Sequence, residues 1–133
     1  LGADGVQMGT RFVACKESSA HENFKNMVLK AKEGDTRLTL KEITPVRMMK
    51  NKFFQEVEEL YKTSPSKEQL LNKLGRGRAK LGMFEGDLEA GELEIGQASS
   101  QINRVFTAQE IVQQIMTEFN SIKSQMSIAN KFN

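Results

Sequence analysis

The residues best suited to chemistry lie at the start of the sequence, where a short apolar run leads into a glycine and a threonine. The run Gly5-Val6-Gln7-Met8 is typical of a strand in a parallel sheet covered on both faces, and Gly9 and Thr10 follow it directly. Glycine lets a ligand approach the backbone closely, and N–H groups between a strand and a helix can donate to an anionic oxygen. The spacing predicts a phosphate-binding turn, but many strand-to-helix turns contain glycine for turn geometry alone.

This opening strand would need partners, because a parallel strand makes its hydrogen bonds with neighbouring strands. The sequence begins with the strand, without an initiator methionine and without a candidate partner strand before it. We therefore expect the sequence to be truncated, with elements from elsewhere completing the sheet.

Composition narrows the class of protein. The 133 residues allow one domain with a modest core, and the 19 basic and 17 acidic side chains are interleaved. The net charge of +2 disfavours a nucleic acid partner. No signal peptide or membrane-spanning apolar stretch is recognisable, and one cysteine excludes an internal disulfide. We expect a cytoplasmic protein that binds neither nucleic acid nor membrane.

Two single residues with chemical potential have simpler explanations. Cys15 ends an apolar run, where a buried and inert thiol is expected. His21, the only histidine, falls in the first turn of a predicted helix, where a local hydrogen bond or packing is expected rather than catalysis.

Two charged clusters are interpreted in the same way. The acidic cluster lacks the histidine partner and the ligand spacing of a metal site, so we interpret its carboxylates as solvated and predict no metal. The basic cluster is interpreted as a solvated loop, with a phosphate-bearing ligand or protein as the alternative. The clusters are Asp87, Glu89, Glu92 and Glu94, and Lys73, Arg76, Arg78 and Lys80.

Helical periodicity accounts for most of the first half of the chain. A capping box at Ser19-Ala-His-Glu22 predicts a helix through Ala31 that ends at Gly34. Residues 35–45 permit a short strand, and residues 47–61 return to a helical pattern. Four large apolar side chains there favour ordinary core, with an acyl-chain pocket as the alternative. They are Met48, Met49, Phe53 and Phe54.

The second half contains two helices around a glycine-dense segment. Ser64 and Pro65 predict a helix start, and Gly75 its end. The glycines of residues 74–97 predict irregular backbone with tight turns or a close ligand. The box Thr107-Ala-Gln-Glu110 begins a last helix whose apolar stripe should be buried. The stripe is Ile111, Ile115, Phe119, Ile122 and Met126.

Three stretches together resemble one enzyme family. They are Gly2-Ala-Asp-Gly-Val-Gln-Met-Gly-Thr-Arg-Phe12, then Glu17 to Lys25, then Gly86-Asp-Leu-Glu-Ala-Gly91 followed by Gly96-Gln97. The sequence is similar to the C-terminal part of the nitronate monooxygenase-like (2-nitropropane dioxygenase-like) flavoproteins. The similarity is greatest to their FMN-dependent enoyl-acyl carrier protein reductase II branch.

The resemblance implies an α/β parent fold, a (β/α)₈ TIM barrel with an inserted helical domain. Residues 1–16 would be the last barrel strand and its phosphate-binding turn. Residues 17–98 would be the inserted substrate domain, and residues 99–133 would return to the barrel. This chain alone would then be mostly α-helical, with one N-terminal strand from the barrel.

The resemblance also implies a cofactor site. Half of the FMN phosphate cradle would be formed by Gln7, Met8, Gly9 and Thr10. This agrees with a general feature of such barrels, in which the loops after strands seven and eight often bind phosphate. Gln97 would lie near the flavin edge, although it could instead cap a helix over residues 98–105. The catalytic histidine of the family lies outside this chain, and His21 does not match it.

The implied activity belongs to fatty acid biosynthesis. Hydride would pass from NAD(P)H through FMN to a trans-2-enoyl thioester, with acyl carrier protein or an acyl thioester as substrate and a homodimeric parent. Without the rest of the barrel, the chain would be inactive. Two alternatives remain: a nitronate monooxygenase that uses O₂, and a non-enzymatic helical interaction module.

Overall fold

Helices make up most of the computed structural model, which describes residues 3–129 and their side chains as far as residue 126. The predicted segments 1–16 and 99–133 therefore extend beyond the described residues. The helices are α1 (Thr10–Val13), α2 (Glu22–Leu29), α3 (Lys52–Tyr61), α4 (Lys67–Leu74) and α5 (Ala108–Ala129), and the strands are β1 (Thr36–Thr39) and β2 (Val46–Met49). A π-helical turn (Lys80–Phe84) and a 3₁₀ helix (Gln97–Gln101) lie between α4 and α5.

The predicted N-terminal barrel strand is not formed in this structure. Residues 3–8 have no strand partner among the described residues, and they are exposed, with Val6 79% and Met8 41% accessible. A parallel strand cannot form its hydrogen-bonded ladder without a neighbouring strand, and none is available to these residues within the described part of the chain. The described residues instead form a two-stranded sheet elsewhere.

That sheet is an antiparallel hairpin, with Thr36 opposite Met49 and Thr39 opposite Val46. The strand prediction for residues 35–45 is confirmed by β1. The helix predicted to begin at Arg47 is wrong, because residues 46–49 form β2 and helix α3 begins only at Lys52.

Strand β2 exists because it has backbone partners on both sides. Besides β1, it meets the segment 93–95: the Met49 amide donates to the Leu93 carbonyl at 2.9 Å, and the Ile95 amide to the Arg47 carbonyl at 3.0 Å. A partner more than 40 residues away overrides the helical propensity of methionine and arginine.

Two buried clusters contain successive residues of β2, because alternate side chains of a strand point to opposite faces. Met49 joins the cluster of Ala14, Ala20, Phe24, Val28, Leu93, Ile95 and Ile102. Met48 joins the cluster of Leu40, Phe53, Phe54, Val57 and Leu70. The core interpretation of Met48, Met49, Phe53 and Phe54 is therefore confirmed, and the acyl-chain pocket is not formed by them.

Helix α2 begins two residues later than predicted. His21, not Ser19, is the N-cap, and its Nδ1 accepts a hydrogen bond from the Asn23 amide at 3.1 Å. The expected local role of His21 is thus confirmed. The helix also ends early, at Leu29, so Gly34 lies in a later turn rather than at the helix cap.

Helix α4 has a complete capping box, but at Ser66 rather than Ser64. The Gln69 amide donates to the Ser66 hydroxyl at 3.2 Å, and the Ser66 amide donates to the Gln69 side chain at 2.8 Å. Gly75 follows the helix with φ +67°, as its predicted end requires. Cys15 is buried as expected.

Glycines in residues 74–97 allow close backbone contacts within the protein. A side chain on Gly91 would collide with the backbone of Gly82 in the π-helical turn, and one on Gly86 would collide with the His21 ring. The close approach predicted for this segment is therefore made to protein atoms. These contacts fix the segment on which Leu93 and Ile95 reach the core.

Helix α5 begins as predicted and then leaves the core. The Glu110 amide donates to the Thr107 hydroxyl at 3.1 Å, and the Thr107 amide donates to the Glu110 carboxylate at 2.7 Å, which forms the capping box. Ile111 is buried, but Phe119, Ile122 and Met126 are exposed. The prediction of a fully buried stripe is wrong within this chain. No helix among residues 3–129 is long and apolar enough to cross a membrane.

Candidate functional site

Gln7, Met8, Gly9 and Thr10, the predicted phosphate-binding residues, lie along one cavity of about 530 Å³, called here the first cavity. Its other walls come from the 3₁₀ helix, the residues after it and the first turns of α5. These four consecutive residues therefore share one cavity with residues from distant parts of the chain. The remaining lining residues are Arg11, Ala98, Gln101, Ile102, Asn103, Phe106, Gln114, Ile115 and Glu118.

Helix α1 begins at this cavity and leaves backbone donors there. The Gly9 carbonyl accepts from the amides of Phe12 at 2.9 Å and Val13 at 3.1 Å. The amides of Thr10 and Arg11 have no acceptor among the described residues, as is usual in the first turn of a helix. No atom would lie within 4 Å of a Cβ on Gly9. The turn can thus offer two N–H groups to an anionic oxygen in open space.

Thr10 also has a structural partner. Its hydroxyl oxygen accepts a hydrogen bond from the Gly96 amide at 3.1 Å. A Cβ on Gly96 would lie 2.5 Å from this oxygen, so glycine is required for the approach. The hydroxyl proton of Thr10 remains able to donate to a ligand. Thr10 therefore joins the predicted phosphate-binding turn to the residue that precedes Gln97.

Arg11 links the same turn to α5. Its Nη2 donates to Oε1 of Gln114 at 3.0 Å, and its guanidinium lies 5.2 Å from the centre of the Phe106 ring. The Arg104 guanidinium lies 4.8 Å from the same ring centre. A guanidinium and an aromatic ring attract each other through the ring quadrupole. These contacts hold α5 beside the first cavity and place positive charge near it.

Gln97 lies at the first residue of the 3₁₀ helix, and it lines a different cavity from the four cradle residues. The predicted alternative, a cap on a helix over residues 98–105, is wrong, because the 3₁₀ helix spans residues 97–101 and no side chain caps it. The Gln97 side chain is exposed and has no hydrogen-bond partner among the described residues. It is therefore available to a ligand.

This second cavity has a volume of about 790 Å³ and adjoins the first cavity at the 3₁₀ helix. Ala98 and Gln101 line both cavities. Polar side chains predominate in its wall. The lining residues are Glu33, Gly34, Thr36, Arg47, Gln97, Ala98, Ser100 and Gln101.

Arg47 reaches the second cavity from strand β2 and was missed by the sequence analysis. Its Nη1 donates to the carbonyl and to the hydroxyl of Thr36, each at 3.3 Å. The available signal was a charged residue between Val46 and Met48 in an otherwise apolar segment. In a strand, alternation would place Arg47 on the face opposite to Val46 and Met48, but the segment was predicted to be helical.

The expectation that the four clustered carboxylates are solvated is wrong for Glu92. Glu92 is 7% exposed, and burial raises its pKa to about 7, with the negative charge of Glu94 adding to the rise and Arg78 opposing it. Asp87 caps a turn, where its carboxylate accepts from the Glu89 and Ala90 amides at 3.0 and 2.9 Å. Within residues 3–129, no three histidine, cysteine or acidic side chains cluster closely enough to hold a metal ion.

The basic cluster does not converge on a common ligand site. Lys73 pairs with Glu56 at 2.6 Å, and Lys80 with Glu85 at 3.1 Å. Arg78 donates to two backbone carbonyls at 2.8 Å and stacks on Phe53. Partners within the protein thus satisfy three of its four cations.

The chain is similar to proteins of one enzyme family. The family model for nitronate monooxygenases matches residues 1–118. A probable nitronate monooxygenase of Bacillus subtilis is 29% identical over 89% of this chain, and one of Staphylococcus aureus is 31% identical over 92% of it. The chain spans 34% of the length of each relative.

A solved structure agrees with these relatives. FabK from Thermotoga maritima has a TM-score of 0.85 and 32% sequence identity to this chain, over 95% of this chain and 40% of that one. The match therefore includes nearly the whole arrangement described above, within a longer protein. Since the family model also matches most of the chain, the chain belongs to the nitronate monooxygenase family.

Proposed function

We propose that this chain is the C-terminal part of a flavin-dependent oxidoreductase and that the first cavity holds the phosphate of FMN. The observation that carries the proposal is the convergence of Gln7, Met8, Gly9 and Thr10 on one cavity. Family membership supports it, because the resemblance to FMN-binding members runs through these residues.

The groups at the cavity fit a phosphate. The amides of Thr10 and Arg11 have no acceptor among the described residues, and the Thr10 hydroxyl adds a third donor. Hydrogen bonds from such groups to a charged oxygen are short and strong. Arg11, held by Gln114, supplies a nearby positive charge.

Gln97 is proposed to act at the other end of the cofactor, at the flavin edge. Its amide can both donate and accept, and no described residue occupies it. When bound, FMN supplies hydride transfer from NAD(P)H to an electron-poor substrate. The residues of this chain then bind the cofactor and orient the ligand beside it.

The specific activity that we propose is enoyl-acyl carrier protein reduction, with a trans-2-enoyl thioester as substrate. The structural similarity to FabK supports this choice. The alternative is nitronate oxidation, which is supported by the names of the relatives in B. subtilis and S. aureus. In either case the catalytic histidine is proposed to come from outside this chain, so the chain alone would be inactive.

The remainder of the barrel is the first partner that we propose. Residues 1–16 and 99–133 would belong to the (β/α)₈ barrel, and residues 17–98 to the inserted domain. The exposed apolar side chains at Val6 and along α5 support this division, because apolar faces of this kind usually mark contact surfaces. The full-length protein would act as a homodimer on acyl carrier protein or an acyl thioester.

Substitution of Thr10 tests the cofactor site in the full-length protein. Thr10→Val removes a hydroxyl that donates to phosphate, a bond of about 1.5–3 kcal/mol, so the FMN dissociation constant should rise roughly tenfold to a hundredfold. Thr10→Ser keeps the hydroxyl, including its bond with Gly96, and should bind FMN normally. Flavin fluorescence measures both affinities. Equal affinity in the two variants would remove Thr10 from the cradle.

Turnover then separates the candidate activities. An enoyl reductase oxidises NAD(P)H when a short enoyl thioester is added without oxygen. A nitronate monooxygenase consumes O₂ with a nitronate and leaves the thioester unchanged. A full-length protein that carries no flavin would instead support the non-enzymatic helical module.

A further inference from the structure

The second cavity contains a positive charge that the described protein does not neutralise. Arg47 is half-buried, and no carboxylate lies within ion-pair distance of it among the described residues. Its contacts with Thr36 are two hydrogen bonds from a single nitrogen, both at 3.3 Å. A guanidinium has five N–H donors, so most of its donor capacity is unused.

Other shielded cations in this protein have strong partners. Buried Lys25 pairs with Glu22 at 3.2 Å, and half-buried Lys73 pairs with Glu56 at 2.6 Å. Arg78 has two carbonyl acceptors at 2.8 Å and the Phe53 ring. Arg11 has a neutral acceptor at 3.0 Å and an aromatic ring, whereas Arg47 has only the two 3.3 Å contacts with Thr36. Because removing a charge from water is costly without a partner, Arg47 is the partly buried cation that most calls for a ligand.

The strand geometry directs Arg47 away from the acidic side chains nearby. In β2, Met48 is bridged to Glu94, and Arg47 lies one residue away. Successive strand residues point to opposite faces, so Glu94 lies on the Met48 face and Arg47 on the other. The acid that does line the same cavity, Glu33, is exposed and therefore screened by solvent.

The rest of the wall suits a polar ligand. Gln97, Ser100 and Gln101 offer neutral donors and acceptors around the arginine. The fork of an arginine matches the oxygens of a phosphate, which it binds through two parallel hydrogen bonds. An acyl chain would find few apolar partners here.

We infer that Arg47 binds a phosphate or pyrophosphate group of the second ligand of the enzyme, in the cavity next to the flavin. This inference rests on the proposed function for the identity of that ligand. Two ligands of the proposed reaction carry the required group: the pyridine nucleotide and the phosphopantetheine arm of the thioester. The binding chemistry is the same for both.

Calorimetric titration of the full-length protein with inorganic pyrophosphate tests the site without any turnover. Arg47→Met keeps the apolar stem and removes the charge, and it should weaken pyrophosphate binding roughly tenfold to a hundredfold. Glu33→Gln removes the one acid in the wall and should tighten binding. Arg37→Met is the matched control, because Arg37 lies on the neighbouring strand, is exposed and pairs with Glu58.

Steady-state kinetics then assign the source of the phosphate. A raised KM for NADH or NADPH in Arg47→Met, with kcat retained, assigns the site to the nucleotide. A raised KM for an enoyl-coenzyme A thioester alone assigns it to the pantetheine arm. Pyrophosphate affinity that is equal in wild type and Arg47→Met overturns the inference. A protein without flavin that still binds pyrophosphate through Arg47 would refute the proposed function and leave this site standing.

Discussion

Large apolar side chains are buried in one region of this structure and exposed in another. In the body formed by residues 14–102, Phe24 and Phe53 are 0% and 1% exposed. At the edge formed by residues 3–8 and α5, Val6 is 79% and Phe119 57% exposed. The body thus contains its own core, whereas the edge leaves large apolar side chains exposed in this chain. The candidate phosphate turn lies where the two regions meet.

Helix α5 belongs to both regions. Its first turn is fixed in the body: the Ala108 amide donates to Glu17 at 2.9 Å, and Ile111 is buried. That hydrogen bond is the main reason why the pKa of Glu17 is lowered. The same apolar periodicity continues to Met126, but without cover in this chain. A helical pattern therefore predicts which face is apolar and says nothing of what covers it.

Replacing a phenylalanine with alanine should destabilise this chain strongly in the body and hardly at all at the edge. Phe24→Ala empties a filled core site and should lower the free energy of unfolding by about 3–5 kcal/mol. Phe119→Ala removes a side chain that is mostly in solvent and should change it by no more than about 0.5 kcal/mol. Urea denaturation of both variants measures the difference.

Repeating the pair in the full-length protein sharpens the comparison. If the rest of a barrel covers α5, Phe119→Ala should there cost about 2 kcal/mol or more, as removal of a buried aromatic does. A loss near zero in both proteins would show that the edge is a true surface. A large loss in the isolated chain would show that α5 is covered by a second copy.

Two helix caps offer a smaller contrast between a buried and an exposed position. The side-chain oxygen Oδ1 of Asn51 accepts from the Phe54 backbone amide at 2.9 Å, and the side-chain nitrogen Nδ2 donates to the backbone carbonyls of Leu88 and Gly91 at 2.9 and 2.8 Å. Asn51→Ala should lower the free energy of unfolding by about 2–3 kcal/mol. The variant loses the cap of α3, and it also removes the donor to the carbonyls of Leu88 and Gly91.

Ser66→Ala is the matched control, since Ser66 caps α4 in solvent. It should cost about 1 kcal/mol. Thermal unfolding in the two variants compares them directly. Equal losses would mean that the contacts of Asn51 to the segment 88–91 contribute no stability beyond the cap.

Local sequence signals predicted part of the local structure, although they placed the N-caps of α2 and α4 two residues too early. The capping box at Thr107, the helix end at Gly75 and the local hydrogen bond of His21 all depend on residues within a few positions. The four cradle residues are consecutive and line one cavity, but their role in binding phosphate stays a prediction.

Features that depend on distant segments were missed. Strand β2 needs the carbonyl of Leu93, and without that partner Met48 and Met49 look helical. Arg47 acquires its cavity only through this strand. Gln97 lines the cavity that adjoins the one lined by the cradle residues, and its position near the flavin edge stays a prediction. Long-range pairing is not encoded in any local pattern, which is why the sequence alone did not predict these features.

The burial of Glu92 was missed for the same reason, and it predicts a stability that depends on pH. Burial, aided by the nearby charge of Glu94, raises its pKa from 4.5 to about 7 in the folded chain. Between these values the folded state holds a proton that the unfolded state has released, so the free energy of unfolding should fall as pH rises through this window. Above about pH 7 the buried carboxylate is charged in both states, and the loss should be complete.

Glu92→Gln keeps the shape of the side chain and removes its charge, so its stability should not fall over this window. At pH 8 the variant should be more stable than the wild type by about 1 kcal/mol, discounted for the solvent that still reaches the carboxylate, and near pH 4.5 the two should be equal. Glu89→Gln is the control, because Glu89 is exposed and only 3.8 Å from Lys52 in a surface pair. Parallel pH profiles for wild type and Glu92→Gln would mean that Glu92 is as solvated as its sequence suggested.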